Sequence, residues 1–151
     1  MTWDSVEKMI QEKFPDDPKI STADLSALLI LPENQQPLVL DAREKKEHSV
    51  SHIYGARLAR NEKEALKILN GESNDRHIVV YCSVGYRSAI LVNKLRAKGF
   101  TKVYNLEGSI FKWRNEGHKV YRGNHEVKDV HPFNNKWGQL LNKNFWPSKL
   151  E

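Results

Sequence analysis

Cysteine is almost missing from this chain: one residue, Cys82, among 151. No disulfide can form within it, and a lone thiol suits a reducing compartment such as the cytoplasm. Long apolar runs are missing too, so no membrane span is expected. The first residues lack the basic-then-apolar order of a secretory signal. There is no internal repeat and no low-complexity segment, which excludes fibrous and disordered classes. No histidine is paired with a cysteine, so no zinc site is expected. Neither a Walker loop nor a dinucleotide glycine fingerprint is present, and no metal or organic cofactor is expected.

What is present is ordinary globular material, 39% apolar and 28% charged, enough for one domain. The charge excess is mild, 24 basic against 19 acidic residues, or +5. Nucleic-acid binders show a denser basic stripe with interleaved aromatics. No nucleic-acid partner is expected, and a small anionic substrate fits better.

Along the chain, Trp3, Val6, Met9, Ile10 and Phe14 recur at helical spacing. Two prolines, Pro15 and Pro18, end that helix. Lys19 to Ser21 reads as a short strand, and Ser21 with Asp24 opens a second helix to about Leu29. Leu38 to Asp41 reads as a buried parallel strand, followed by a polar, charge-rich connection. A short extended piece near Leu58 and a helix from Asn61 to Leu69 come next. Ile78 to Tyr81 is the clearest strand and runs straight into Cys82. A helix from Arg87 to Lys98 closes at Gly99. A strand from Lys102 to Leu106 and a helix with Ile110 and Trp113 complete the pattern. Such alternation implies an open α/β fold with a mostly parallel sheet. Residues 1–17 form an N-terminal helical segment, 18–121 the domain, and 122–151 a tail. The tail has no long periodic element, but Phe133, Trp137, Phe145 and Trp146 predict that it wraps on the domain. Its last two residues, Leu150-Glu151, carry no functional weight in this reading.

The chemistry concentrates in Cys82-Ser83-Val84-Gly85-Tyr86-Arg87-Ser88. A cysteine at the C-terminal end of a central strand stands where open α/β sheets bind ligands. The turn into the next helix lets backbone N–H groups converge, and with the helix dipole they favour a negative charge on the sulfur. Gly85 permits a backbone conformation closed to other residues. Position alone equally allows a small buried structural cysteine. Gly85 and Arg87 favour the catalytic reading, because a plain strand-to-helix turn needs neither. Lys94, Arg96 and Lys98 lie roughly 10–16 Å along the helix, at about 1.5 Å rise per residue. Only Arg87 is placed by sequence to meet a bound anion.

This loop resembles the active-site loop of the rhodanese superfamily: cysteine, two residues, glycine, one residue, arginine. Leu38-Val-Leu-Asp41-Ala-Arg43-Glu44 with Glu47 and His52-Ile53-Tyr54-Gly55-Ala56 is similar to a second signature, and Asn105-Leu-Glu-Gly108 with Trp113 and Gly117 to the domain's close. The resemblance spans about residues 18–121. It departs at Ser51 and Ser109, where glycine is usual, and at Ser83, where many members carry arginine.

The resemblance implies a three-layer α/β/α domain with about five strands, and a sulfurtransferase working through a Cys82 persulfide. Thiosulfate or another small anionic sulfur donor would load Cys82, and cyanide or a thiol, including one on an acceptor protein, would unload it. Residues Ser83, Val84, Gly85, Tyr86, Arg87 and Ser88 would bind the donor, with Arg87 orienting loop or donor. Asp41 and Arg43 would support the site, most simply as a buried ion pair, and His52 would be structural. Two alternatives stand beside this reading. One is a non-catalytic module that binds a partner protein. The other is a cysteine-dependent phosphatase or arsenate reductase of the same fold, whose loop is one residue longer. Here only four residues separate Cys82 from Arg87, enclosing a smaller space.

Overall fold

The structure is a computed structural model and describes residues 1–149; Leu150 and Glu151 lie outside the described residues. Five short strands form one parallel sheet: β1 (Lys19–Ile20), β2 (Leu38–Asp41), β3 (Arg57–Leu58), β4 (Ile78–Tyr81) and β5 (Val103–Leu106). Their spatial order is β1-β5-β4-β2-β3. β4 is central, paired with β2 through Asp41 opposite Tyr81 and with β5 through Val80 opposite Asn105. All four residues of β4 are buried, as its unbroken apolar run requires of a strand covered on both faces.

The two-residue period of the strands sorts the core into two layers. Val39, Val79 and Tyr81 face one cluster with Val6 and Ile10 of α1 (Trp3–Lys13), Leu25 of α2 (Thr22–Leu28), and Ile110, Phe111 and Trp113 of α6 (Ser109–Asn115). Leu40, Ile78 and Val80 face the other, with Ala65 of α4 (Glu62–Ile68) and Leu91, Val92 and Leu95 of α5 (Tyr86–Ala97). The result is the expected three-layer α/β/α architecture.

Two elements depart from the sequence expectation. The polar connection after β2 is a helix, α3 (Lys45–Val50). It has no apolar stripe, and its start is held by a reciprocal cap between Glu44 and Glu47. The segment after α6 opens with an antiparallel hairpin, β6 (Val120–Arg122) and β7 (His125–Val127), so β6 straddles the boundary placed at residue 121. Gly123, at φ +61°, makes its turn. His52 and Tyr121 exchange two backbone hydrogen bonds of 2.8 Å, tying the hairpin to the domain.

Beyond the hairpin the chain runs through two short 3₁₀ turns, Trp137–Leu140 and Lys143–Phe145. Val130, Leu140 and Leu141 are buried in the same cluster as α1 and α6. The Trp146 indole N–H donates to the Gly138 carbonyl at 3.2 Å, and Asn115 holds the Leu140 carbonyl at 2.8 Å. No helix among the described residues is long and apolar enough to cross a membrane.

Candidate active site

The end of β4 delivers Cys82 beneath the first turn of α5, with only 1% of the residue exposed. Gly85, the residue preceding α5, sits at φ +116°, a region that strains any residue with a Cβ. That conformation turns its N–H onto the cysteine, 3.1 Å from Sγ. The N–H groups of Ser83, Val84, Tyr86, Arg87 and Ser88 have no acceptor among the described residues. They form a cradle of unspent donors at a helix N-terminus, reinforced by the dipole of a 12-residue helix.

Polar residues beneath the loop fix its shape. Ser88 Oγ lies 3.4 Å from Cys82 Sγ and 2.6 Å from Asn105 Oδ1. One hydroxyl proton cannot serve both, and the shorter contact is the one to Asn105. Asn105 Nδ2 donates to the Gly85 carbonyl and to Asp17, each at 2.9 Å. Burial raises the Asp17 carboxyl above its ordinary value, against the lowering effect of Asn105. From α6, Ser109 accepts the Cys82 N–H at 3.1 Å, while Ile110 and Phe111 donate to the Cys82 and Ser83 carbonyls. Ser109 itself stands at φ +50°, a glycine-like conformation. The N–H of Cys82 is thereby spent and does not face a ligand.

Arg87, which lines the pocket with Cys82, reaches across to α3. Nη1 meets Glu47 Oε2 at 2.8 Å, and Nη2 meets Glu47 Oε1 at 3.0 Å and Ser83 Oγ at 2.8 Å. The Glu47 side chain is wholly buried. Burial disfavours its charge, but the Arg87 hydrogen bonds and the charges of Arg87 and Arg43 outweigh that and hold its pKa below the usual glutamate value. Sequence offers Arg87 as a free anion receptor; the fold engages it with a carboxylate.

Asp41 and Arg43 lie one layer further out and do not line the pocket at Cys82. Both are wholly buried. Asp41 accepts from Arg43 Nη2 at 2.7 Å, Tyr81 OH at 3.0 Å and the Arg43 N–H at 3.0 Å, and contacts His48 Nδ1 at 2.8 Å. Burial opposes its charge, yet Arg43 and these hydrogen bonds hold its pKa well below the carboxylate range. The network joins the ends of β2 and β4 to α3, which carries Glu47 into place.

The expectation of no zinc site passes over one spacing: His48 and His52 are four residues apart, as paired helical ligands would be. Their rings stack at 4.2 Å. Three of their four ring nitrogens have other partners, His48 Nδ1 in Asp41, and His52 in the Ile53 carbonyl at 3.0 Å and the Gly123 N–H at 3.3 Å. Burial lowers the His52 pKa, which fits a neutral ring bridging a carbonyl and an N–H.

Above the sulfur is a pocket of about 180 Å³ lined by Cys82, Ser83, Val84, Tyr86, Arg87, Phe133 and Trp137. The loop supplies five of these, as its sequence position leads one to expect. Gly85 and Ser88 lie against the sulfur without lining the pocket. Phe133 and Trp137 come from the C-terminal tail, and nothing local in their sequence places them there.

The fold and site together are those of an α/β protein whose central parallel strand ends in one buried cysteine before a helix start. The family model of the rhodanese-like domain matches residues 22–116, and the chain belongs to that family. It is 34% identical over 76 residues to YqhL of Bacillus subtilis strain 168, covering 50% of this chain and 59% of that protein. It is 32% identical over 91 residues to the tRNA uridine(34) hydroxylase of Protochlamydia amoebophila strain UWE25, covering 56% of this chain and 28% of that protein. The chain therefore spans less than two thirds of either relative. Its fold is also that of a thiosulfate sulfurtransferase from Pseudomonas aeruginosa, with a TM-score of 0.67 at 18% identity over 91% of this chain and 26% of that one.

Proposed function

We propose that the protein is a sulfurtransferase that carries sulfane sulfur as a persulfide on Cys82. The observation that carries this reading is the Cys82 sulfur itself, held by the Gly85 N–H beneath a row of unspent backbone donors. That setting stabilises an anion on Cys82 before and after it gains a sulfur atom. In the first half-reaction the thiolate attacks the outer sulfur of thiosulfate, the sulfur–sulfur bond of the donor breaks, and sulfite leaves with its electron pair. Cys82 is left as a persulfide anion. In the second, cyanide or a thiolate attacks the terminal sulfur, and Cys82 leaves as thiolate. An organic persulfide R–S–SH loads the cysteine in the same way, releasing R–SH.

The enzyme's own part is positioning and charge stabilisation. The Ser83 to Ser88 N–H groups hold the anions, and Arg87 holds the loop by gripping Glu47 and Ser83. Asp41 and Arg43 support α3 from behind. No step calls for a metal or organic cofactor. The acceptor in the cell would be a thiol, free or on a protein, and the compartment a reducing one such as the cytoplasm.

Intact mass spectrometry tests this directly. After incubation with thiosulfate the protein should gain one sulfur atom, lose it on adding cyanide, and show neither change as Cys82→Ser. A folded protein that gains no sulfur from thiosulfate or an organic persulfide would end the proposal.

A further inference from the structure

The mouth of the Cys82 pocket is built by residues outside the family-matched region 22–116, and their character is apolar. Phe133 and Trp137 line it from the tail, and Val84 and Tyr86 from the loop. Among the described residues, Arg87 is the only charged one in the lining. Its guanidinium is committed to Glu47 and Ser83 and is covered by the Phe133 ring, 4.6 Å from Cζ to the ring centroid. The Ser83 hydroxyl is spent as well, donating to Glu47 and accepting from Arg87. The side chains around the sulfur therefore offer a doubly charged inorganic ion no unpaired cation. Charge recognition is left to backbone N–H groups at the floor.

Phe133 also holds an unfavourable backbone. Its φ is +69°, one of two positive values among the non-glycine residues described. An aromatic residue does not adopt this region freely, and such outliers cluster at ligand clamps and active sites. The His131 ring fixes it, with Nδ1 accepting the Phe133 N–H at 2.9 Å. The ring gains little by burial in return, since the residue remains 38% exposed at the pocket mouth. Its packing partner there is the Arg87 guanidinium at the pocket and not the apolar core.

We infer that Phe133 and Trp137 are specificity-determining residues that select a sulfur donor bearing an apolar or aromatic group, an organic persulfide or thiosulfonate, over inorganic thiosulfate. This rests on the sulfurtransferase reading above and names the substrate class of the same site. The pocket of about 180 Å³ is smaller than the roughly 300–1,000 Å³ of a drug-sized site and suits one such group beside the transferred sulfur. With a thiosulfonate R–SO₂–S⁻, the Cys82 thiolate takes the outer sulfur, the sulfur–sulfur bond breaks, and the sulfinate R–SO₂⁻ leaves with the electron pair. The transferred sulfur and the sulfonyl oxygens stay on the N–H floor, while R lies against the two rings.

Benzenethiosulfonate and methanethiosulfonate test this, because they share the reacting bond and charge and differ only in R. Thiocyanate formation with cyanide gives kcat/KM for each, and their reaction with cyanide alone gives the intrinsic ratio. The wild-type protein should favour the benzene donor by about tenfold or more beyond that intrinsic ratio. Phe133→Ala should lower the enzyme's ratio by about three- to tenfold, as expected for loss of one aromatic contact, and Trp137→Phe should lower it less. A ratio measured within one variant cancels any loss of folded enzyme. An enzyme ratio equal to the intrinsic one, or unchanged in Phe133→Ala, would overturn the inference while leaving sulfur transfer intact. If neither donor loads Cys82 in the wild type, this inference is overturned; the sulfurtransferase reading fails with it only when thiosulfate and an organic persulfide also add no sulfur.

Discussion

Arg87 and Glu47, 40 residues apart in the chain, meet through two parallel hydrogen bonds of 2.8 and 3.0 Å. The pair fastens the first turn of α5 to α3, and so sets the height of the N–H cradle above Cys82. Because Glu47 is buried and Arg87 largely so, the bond is shielded from water on one side. Removing one partner leaves the other poorly solvated, which is where the energetic cost lies.

Glu47→Gln should therefore lower stability by about 1–3 kcal/mol, the lower part of the range reflecting the partial exposure of Arg87. Urea denaturation measures it. Sulfur transfer should fall more than stability does, since a loosened Arg87 releases the loop. A variant as stable and as active as the wild type would show that the pair anchors nothing.

The acid limb of stability should carry the same signature. Glu47 and Asp41 have folded-state pKa values below their unfolded ones. Their contribution is complete above the ordinary carboxylate value of about 4 and is lost as pH falls through the depressed folded values. His52, lowered first by burial, adds a loss that begins on descent through about 6.5. Asp17, raised by burial, acts with the opposite sign and favours acid. Comparing urea midpoints from neutral pH downward in wild type and Glu47→Gln isolates one carboxylate. The variant should show the shallower fall below pH of about 4, and parallel curves would refute the assignment.

Cys82→Ser keeps volume and shape in a site where the residue is 1% exposed, so the fold should survive with a stability change of about 1 kcal/mol. Cyanide-dependent thiocyanate production should vanish. Residual turnover in a folded variant would move the chemistry elsewhere.

Gly85→Ala meets no hard steric wall, since a Cβ there would come no closer than 3.4 Å to its nearest neighbour, Ile10. The cost comes from φ +116° and should be about 1–3 kcal/mol. Relaxing that strain rotates the Gly85 N–H off Sγ. Activity toward any sulfur donor should drop together with the melting temperature, and an unaffected rate would mean the Gly85 N–H is not part of the anion cradle.

Leu141→Ala tests whether the tail is part of the folded core. The residue is 2% exposed in the cluster shared with α1 and α6. A loss of about 2–5 kcal/mol is expected for a buried leucine. A loss of a few tenths would mean that the tail docks on an already complete domain.

The sequence by itself determined the sheet and the loop. The apolar runs at Leu38 to Asp41 and Ile78 to Tyr81 read as covered parallel strands, and both are β-strands with every residue of β4 buried. The three short signatures sufficed for the family, because each is a string that can be read along the chain and the three stand in the family's order. α3 was not legible, because Lys45 to Val50 has no apolar periodicity and its helix is held by the Glu44–Glu47 cap and the buried contacts of Glu47. The tail's aromatic content predicted packing against the domain, but not that Phe133 would lie on Arg87 or help form the pocket mouth.

What tertiary structure alone decided is the electrostatic character of the site. The sequence places an arginine beside a nucleophilic loop and leaves its charge free. Whether that charge meets a substrate or a carboxylate depends on where α3 lands, and α3 is positioned by the buried Asp41–Arg43–Tyr81 network at the C-terminal ends of β2 and β4. Contacts between residues distant along the chain are chosen by the packing of whole elements, and no local pattern encodes which partner a side chain finds when those elements come together.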